Sequence, residues 1–193
     1  MVLRLLFIST HPIQYNAPLY AYLAKHSSYS IKVFYTLGAN TNSIVDNGFG
    51  TIENWKIDLL SGYDYEFIEN ISSYPSSLKY NGIKNPSLIT KIKEYNPDSI
   101  VVYGWKHQSH LSVLNYFHGK IPIVFRGDST TLDDSSGFSL RTYFRYAFLQ
   151  WVYRKVDYVL SPGSASDQYF LKCGLKQNQI IRAEHAVDNE RFR

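Results

Sequence analysis

Short apolar runs alternate along this chain with segments in which apolar residues recur every three or four positions. The first pattern is typical of buried strands and the second of amphipathic helices. We therefore predict helices at residues 17–26, 86–95, 107–118, 140–155 and 164–173. The predicted strands lie at residues 2–8, 31–36, 65–68, 99–103, 121–125, 158–160 and 180–182.

Regular alternation of strands and helices predicts right-handed crossovers onto a mostly parallel sheet with helices on both faces, which is a Rossmann-like α/β fold. With 193 residues, 45% of them hydrophobic, the chain can bury a core of its own, and we predict a single domain over residues 1–193. Residues 37–85 interrupt the alternation with scattered Gly, Asn, Ser and Pro and only weak strand signals at 55–59. An insertion of this length is more often functional or mobile than part of a core.

The first predicted helix, at residues 17–26, has recognisable start signals. Asn16 is a candidate N-cap, and Pro18 falls in the first turn, where its missing amide is tolerated. The residues that repeat at helical spacing are Leu19, Tyr22, Leu23 and His26.

A single cysteine, Cys173, narrows both the chemistry and the compartment. It excludes an internal disulfide and a cysteine cluster for zinc, so a reducing compartment, the cytoplasm, fits best. The apolar run at residues 2–8 is too short for the core of a signal peptide with its cleavage site. No run approaches the roughly 18 apolar residues that cross a bilayer, so we expect a soluble protein or one at a membrane surface.

The net charge of +4 is concentrated in one segment. Residues 1–137 hold eleven basic and eleven acidic residues, and residues 157–193 hold five of each. The excess therefore lies in residues 138–156, which contain no acidic residue and eight large apolar ones. The cations of this segment are Arg141, Arg145, Arg154 and Lys155.

Two structures fit this basic aromatic segment. We favour a core helix that exposes its arginines and buries its apolar face. The alternative is a helix on an anionic membrane surface, with its cations at the lipid headgroups and its aromatic residues below them. One basic helix is too narrow a surface for nucleic acid, and the chain has no helix-turn-helix or RNA-binding motif, so we predict no nucleic-acid partner.

Three segments, in this order, resemble the N-terminal domain of GT-B glycosyltransferases of the large retaining group called glycosyltransferase family 4, or group 1. They lie at residues 10–19, 104–129 and 157–192 and together span nearly the whole chain. The last one ends in Val187-Asp188-Asn189-x-x-Phe192, which resembles the hinge into the second domain of that family.

In that family two Rossmann-like domains face each other across a cleft, the first mainly receiving the acceptor and the second holding the nucleotide sugar. The resemblance implies a hexosyltransferase-like enzyme of polysaccharide biosynthesis that transfers a sugar, with retention, from a nucleotide sugar to a glycan or lipid-linked acceptor. The nucleotide sugar would be a co-substrate, with no tightly bound cofactor and no metal. We expect the donor-binding domain to follow residue 193, and this chain alone to be inactive.

Two departures from the family pattern fall near the expected chemistry. Members commonly carry a glycine pair after the first strand, where this chain has His11-Pro12-Ile13-Gln14. Many also have His-Asp after the fifth strand, where Gly127-Asp128 stands here. Both changes affect the roles of site residues more than the fold.

Asp128 and His11 are the candidate catalytic residues, because each follows a strand at the edge where open α/β sheets bind their ligands. Asp128 would accept a proton from an acceptor hydroxyl or orient that hydroxyl, and we favour orientation. His11 would hydrogen-bond a sugar hydroxyl or a phosphate. The alternatives are a helix-capping turn for His11 and, for Asp128, a pair with Arg126 that only holds the loop.

The candidate substrate-binding residues lie in the same loops. Arg126 would pair with a phosphate or an acidic acceptor, and Trp105 would either stack on a sugar ring or pack in the core. The polar residues after the first strand precede a helix N-terminus, whose free amides favour anions. Gly163 and Ser164 would shape and cap the helix that starts there and border the cleft. The full set is Gln14, Tyr15, Asn16, Trp105, Lys106, Arg126, Ser129, Gly163 and Ser164.

Two further clusters receive a structural interpretation. His107, His110 and His118 fall near one helical face, but no cysteine or carboxylate completes a metal site, so we interpret them as packed or solvated. Asp133 and Asp134 lie in a loop where aspartate is common turn chemistry. We therefore predict no metal site.

A binding module without catalysis of its own is the alternative to an enzyme. The chain contains neither the Gly-x-Ser-x-Gly nucleophile motif nor the Gly-x-Gly-x-x-Gly dinucleotide fingerprint, and it lacks a donor site. Such a module would be stable alone and would bind a glycan or a partner detectably.

Overall fold

The computed structural model describes residues 2–39, 58–131 and 140–186, together with the backbone at 45–46 and 50–51. Asp133, Asp134, the motif at 187–192 and most of the weak strand signals at 55–59 lie outside the described residues. The strands are β1 (Arg4–Ser9), β2 (Ser30–Tyr35), β3 (Val45–Asp46), β4 (Gly50–Thr51), β5 (Asp64–Phe67), β6 (Ser99–Tyr103), β7 (Ile123–Arg126), β8 (Tyr158–Ser161) and β9 (Ile180–Arg182). The helices are α1 (Ala17–His26), α2 (Leu88–Tyr95), α3 (Gln108–Phe117), α4 (Leu140–Tyr153) and α5 (Ser164–Lys172).

Seven parallel strands form one sheet in the order β5-β2-β1-β6-β7-β8-β9, and β3 pairs with β4 in a separate antiparallel ribbon. The strand order reverses between β1 and β6. The crevice at the carboxyl ends of these two neighbouring strands is therefore the topological switch point of the sheet. In the strand register, Ile8 of β1 pairs with Val102 of β6, and Val102 pairs with Phe125 of β7. We call these three residues the switch-point row. The Rossmann-like α/β fold with a parallel sheet is confirmed, and the predicted elements agree with the observed ones to within two residues at each end.

Successive side chains of the central strands pack alternately into two separate hydrophobic cores. Leu6 and Ile8 of β1 point into the larger core, which also receives apolar residues from α2, α3, α4 and α5. Phe7, between them, points into the smaller core beneath α1, where its ring centroid lies 4.9 Å from that of Tyr20. Because side chains alternate across a strand, the described helices cover both faces of the sheet, four of them on one face and one on the other.

Helix α1 has the predicted bounds but a different buried face. Ala17 and Tyr20 are its buried residues, whereas Tyr22 and His26 are exposed, so the repeat at helical spacing does not mark the core side. Asn16 occupies the predicted N-cap position but makes no side-chain capping bond, because its backbone is already helical, with φ −96° and ψ −36°. Pro18 does lie in the first turn, as predicted.

The described part of the 37–85 insertion is tied to the domain by two asparagines. Asn70 Nδ2 donates to Gly82 O at 2.9 Å, and Asn70 Oδ1 accepts the Lys84 amide at 2.9 Å. The buried residue Asn85 donates from Nδ2 to Thr36 O at 2.8 Å. The Asn70 bonds join parts of the insertion to each other, and the Asn85 bond closes its end onto the loop after β2.

Helix α4, in the basic aromatic segment, is a core helix on one side only. Leu149, Val152 and Tyr153 are buried in the larger core, as the core interpretation predicts. Its opposite side exposes large apolar residues. Among the described residues, no helix combines the length and the apolar character needed to cross a membrane.

Candidate functional site

His11, Trp105 and Asp128 each lie three positions beyond the switch-point row, in the loops after β1, β6 and β7. Parallel strands end at the same edge, so these loops share one side of the sheet. Neighbouring strands are about 4.8 Å apart, which places the starts of the first and third loops roughly 10 Å from each other. The register thus brings three of the predicted site residues to one edge of the sheet.

The helix N-terminus after β1 has few amides free for an anion. The amides of Asn16 and Ala17 both donate to Ile13 O, at 3.1 and 3.0 Å, and the Tyr20 amide donates to Asn16 O. Pro18 has no amide to offer. The Ile13 carbonyl thus takes up two of the amides that a helix start could otherwise present to a diphosphate.

The side chains of this loop remain at the surface of the edge. His11 is half-buried, and its Nδ1 lies 2.9 Å from the Thr10 hydroxyl, which fixes the ring beside the end of β1. Gln14 and Asn16 are half-buried and Tyr15 is exposed. The loop therefore offers imidazole, amide and phenol groups rather than a backbone cradle.

The loop after β6 turns at Gly104, whose φ of +72° favours glycine. Gly104 N donates to Arg126 O at 3.1 Å and so joins the ends of β6 and β7. Trp105 is partly buried, with its ring centroid 5.4 Å from that of Phe148 of α4, which agrees with the packing alternative for this indole. Lys106 is exposed. Its ammonium is available to a ligand at the edge.

Arg126 braces the edge. Its Nη1 donates to Ala183 O and, at 3.4 Å, to Leu160 O, and its Nη2 lies 3.5 Å from His185 Nδ1. These bonds join the end of β7 to the ends of β8 and β9. Arg126 does hold a loop, as its structural alternative predicts, but it does so through these carbonyls rather than through Asp128.

Asp128 and Ser129 are both exposed, directly after the braced end of β7. Gly127 precedes them beneath the Phe125 ring, and a Cβ added to Gly127 would lie 2.7 Å from the nearest ring carbon. Phe125 is buried and packs on Tyr153 with 5.3 Å between ring centroids. The ring therefore leaves no room for a side chain at position 127. This packing accounts for glycine where the resembling family commonly has histidine.

Replacing Gly127 with alanine is expected to lower the free energy of unfolding by about 1–3 kcal/mol, because the new methyl group overpacks a buried ring. Urea unfolding followed by tryptophan fluorescence measures the change. Gly163→Ala is the matched control, because its Cβ would meet only Arg182 Nη1 at an ordinary 3.7 Å. Equal losses in the two variants would contradict the steric explanation.

Gly163 and Ser164 stand farther along the edge. Gly163 occupies the N-cap position of α5 in extended backbone, and its carbonyl accepts the Ser161 hydroxyl at 3.1 Å and the Asp167 amide at 3.0 Å. Ser164 is exposed at the first position of the helix. Two further strands, β6 and β7, separate β8 from β1. The pair therefore shapes the start of α5, and its contact with a ligand stays a prediction.

His110 holds together two of the loops near the switch point. Its side chain is fully buried, with Nδ1 3.0 Å from both Tyr103 O and Gly104 O and Nε2 2.8 Å from the Thr36 hydroxyl. Carbonyls only accept, so Nδ1 carries the proton, and His110 Nε2 and Ser9 O both lie within hydrogen-bonding distance of the single Thr36 hydroxyl. One imidazole thereby connects the loop after β2 with the loop after β6.

Burial, with a smaller contribution from the neighbouring His107 ring, lowers the pKa of His110 to about 4. Burial also lowers the pKa of His107, whose Nδ1 lies 3.2 Å from Lys79 O. The two rings are 5.4 Å apart and His118 is exposed at the end of α3. These contacts agree with the packed or solvated interpretation of the histidines.

Sequence reasoning missed Asn85 entirely. Its backbone amide donates to Ser109 Oγ at 2.8 Å. Its side-chain Nδ2 donates to Thr36 O and Glu69 O, both at 2.8 Å. This residue therefore supports the same β2 loop as His110. The signal that was available is Asn85-Pro86 immediately before a helix pattern, but turns use that dipeptide so commonly that it identifies no partner.

Several solved structures share this fold. UDP-GlcNAc 2-epimerase from Neisseria meningitidis, bound to UDP-GlcNAc, matches with a TM-score of 0.62 and 19% identity over 95% of this chain and 46% of that one. Anabaena Alr3699/HepE in complex with UDP and glucose matches with a TM-score of 0.56 and 13% identity over 97% of this chain and 46% of that one. S. aureus MnaA with UDP matches with a TM-score of 0.55 and 18% identity, over 98% and 49%.

The chain spans about half the length of these neighbours. At identities this low, the structural match shows a shared fold and nothing further. The neighbours support the GT-B fold of the resemblance, and the part of each that this chain matches is 46–49% of its length. No protein-family model and no curated protein sequence matches the chain. Membership of glycosyltransferase family 4 stays a prediction.

Proposed function

We propose that this chain is the acceptor-side domain of a glycosyltransferase that uses a nucleotide sugar and transfers its sugar to a glycan or lipid-linked acceptor. The observation that carries the proposal is that His11, Trp105 and Asp128 follow the switch-point row at the same edge of the sheet. Open α/β sheets bind their ligands at this place. Asp128 supplies an exposed carboxylate to orient an acceptor hydroxyl, and His11 supplies an imidazole two strands away.

The chemistry of the edge favours the acceptor over the donor diphosphate. The amides of Asn16 and Ala17, at the start of α1, are bonded to Ile13 O, and the Arg126 guanidinium is bonded to carbonyls. A diphosphate needs several free donors or cations, whereas sugar hydroxyls are met by carboxylate, imidazole and amide groups. The diphosphate is then held mainly by another part of the enzyme. Retention of configuration rests on the family resemblance alone.

A UDP-GlcNAc 2-epimerase is the second candidate. It is favoured by the 0.62 TM-score to the Neisseria meningitidis enzyme of that name. Inverting the configuration at C2 requires a group that removes the C2 proton, and His11 and Asp128 are two titratable groups at this edge. A binding module without catalysis is the third reading. It shares the fold and differs only in leaving the sugar nucleotide intact.

Incubating the natural full-length protein with a panel of UDP-sugars distinguishes the three candidates. A glycosyltransferase releases UDP in step with a new glycoside when a glycan or lipid-linked sugar is present, and mass spectrometry detects both products. An epimerase yields the C2 epimer with the UDP linkage retained, which proton NMR resolves. We expect acceptor-dependent UDP release. Epimer formation without acceptor, or saturable binding with no turnover, would contradict the transferase proposal.

A further inference from the structure

Helix α4 carries an apolar stripe on the side opposite the core. Leu140, Phe144, Phe148 and Trp151 recur at helical spacing, and Tyr143 lies beside them. The exposed fraction is 71% for Leu140 and 66% for Phe144, and it remains 42% for Phe148 and Trp151. At 1.5 Å per residue the stripe is roughly 17 Å long. We call these five residues the α4 stripe.

The α4 stripe continues to the candidate site. The Phe148 and Trp151 ring centroids are 5.6 Å apart, and the Phe148 centroid lies 5.4 Å from that of Trp105 in the loop after β6. Soluble proteins expose single apolar residues freely, but a continuous row of large ones marks a binding surface. The row therefore needs a partner, and this partner would lie next to the candidate acceptor loops.

The segment that contains the α4 stripe also carries basic residues and has no acidic residue. Residues 138–156 contain Arg141, Arg145, Arg154 and Lys155 and no Asp or Glu, so this segment carries the whole excess charge of the chain. Lys155 Nζ sits 4.0 Å above the Trp151 ring. C-terminal to this segment, the next two acidic residues are engaged elsewhere: Asp157 accepts the Ile123 amide, and Asp167 pairs with Arg182.

We propose that α4 docks this domain on an anionic lipid bilayer, with the stripe at the boundary of the headgroups and acyl chains and the cations among the lipid phosphates. Aromatic side chains flanked by arginine and lysine are the composition of surface-lying membrane helices. A second copy of the chain fits poorly, because pairing two stripes would bring two sets of four cations together. The proposal rests on α4 alone and does not depend on the proposed function.

Flotation of the natural full-length protein with vesicles tests the docking. Wild type is expected to float with vesicles of equal parts phosphatidylcholine and phosphatidylglycerol at low salt, and much less with phosphatidylcholine alone. Phe144→Ser with Trp151→Ser should abolish flotation. Arg141→Gln with Arg154→Gln should lower the partition coefficient about tenfold or more, because each cation near an anionic surface contributes about a fivefold factor.

Matched variants lie on other exposed surfaces. Tyr22→Ser with Tyr74→Ser removes two exposed aromatic residues, and Lys25→Gln with Lys176→Gln removes two exposed cations, all outside α4. These should float like wild type. Unchanged thermal unfolding of the α4 variants would show that they are folded.

Three results would overturn the proposal. The first is wild-type protein that fails to float with the anionic vesicles. The second is flotation that the α4 and matched variants lose equally. The third is a wild-type dimer, seen by light scattering, that only the stripe variants dissociate, since a second copy would then occupy the stripe.

Discussion

Alanine in place of Asp128 is expected to lower kcat/KM for sugar transfer by the natural full-length enzyme about 100-fold or more. The carboxylate is exposed at the braced end of β7 and, in the proposed function, orients the acceptor hydroxyl for attack. Loss of a positioning group at the reacting centre has an effect of about this size. Initial rates of UDP release at varied acceptor concentration measure it.

The asparagine variant separates the two roles considered for Asp128. An amide oxygen still accepts a hydrogen bond but is a poor proton acceptor, so an orienting role predicts that Asp128→Asn retains more activity than Asp128→Ala. Asp64→Asn, at an exposed position on β5, is the matched control and should behave as wild type. His11→Ala should also reduce turnover. Wild-type rates in both Asp128→Ala and His11→Ala would contradict the site assignment.

Alanine in place of His110 is expected to lower the free energy of unfolding by about 3–4 kcal/mol. The change removes a fully buried side chain and leaves Thr36 Oγ1, Tyr103 O and Gly104 O without their imidazole partner. Buried polar groups that lose a partner destabilise by about 1–3 kcal/mol, and the cavity adds to this. Urea unfolding measures the loss. His118→Ala, at an exposed position at the end of the same helix, should change stability by less than about 0.5 kcal/mol.

The same residue predicts a dependence of stability on pH. The pKa of His110 is about 4 in the folded chain, below the unfolded value near 6.5, so the unfolded chain binds the proton more tightly. The stabilisation is therefore complete above about pH 6.5 and is lost as the pH falls towards 4. Between pH 7 and pH 5 wild type should lose about 2 kcal/mol from this group.

His107, whose pKa is also lowered, adds to that loss in the same direction. His110→Ala should retain the part due to His107 and lose the rest. An identical pH dependence in wild type and His110→Ala would contradict the neutral, buried state of His110.

The elements that sequence patterning predicted best are those whose ends are marked locally. β6, β9 and α1 match their predicted bounds residue for residue, because apolar runs and the start signal at Pro18 lie within the elements themselves. The buried face of α1 was not predictable in this way. Its small Ala17 and its Tyr20, rather than the larger repeat, meet the Phe7 and Tyr63 rings of the sheet and insertion.

The roles of Arg126 and His110 depend on partners far away in sequence. Arg126 bonds Ala183, 57 positions later, and His110 bonds Thr36, 74 positions earlier. No local pattern encodes such distances, so an arginine after a strand is equally compatible with binding a phosphate and with bracing the sheet. The edge itself was predictable, because parallel strands necessarily end together.

Hydrogen exchange of the natural full-length protein, with and without saturating UDP-sugar and acceptor, tests the location of the site most directly. The account predicts slower amide exchange at residues 10–16, 104–107 and 127–130, the three loops at the switch-point edge. Exchange at the opposite edge, at residues 96–98 and 119–122, should be unchanged. Slower exchange confined to that opposite edge, or no change in any of the three loops, would contradict the account.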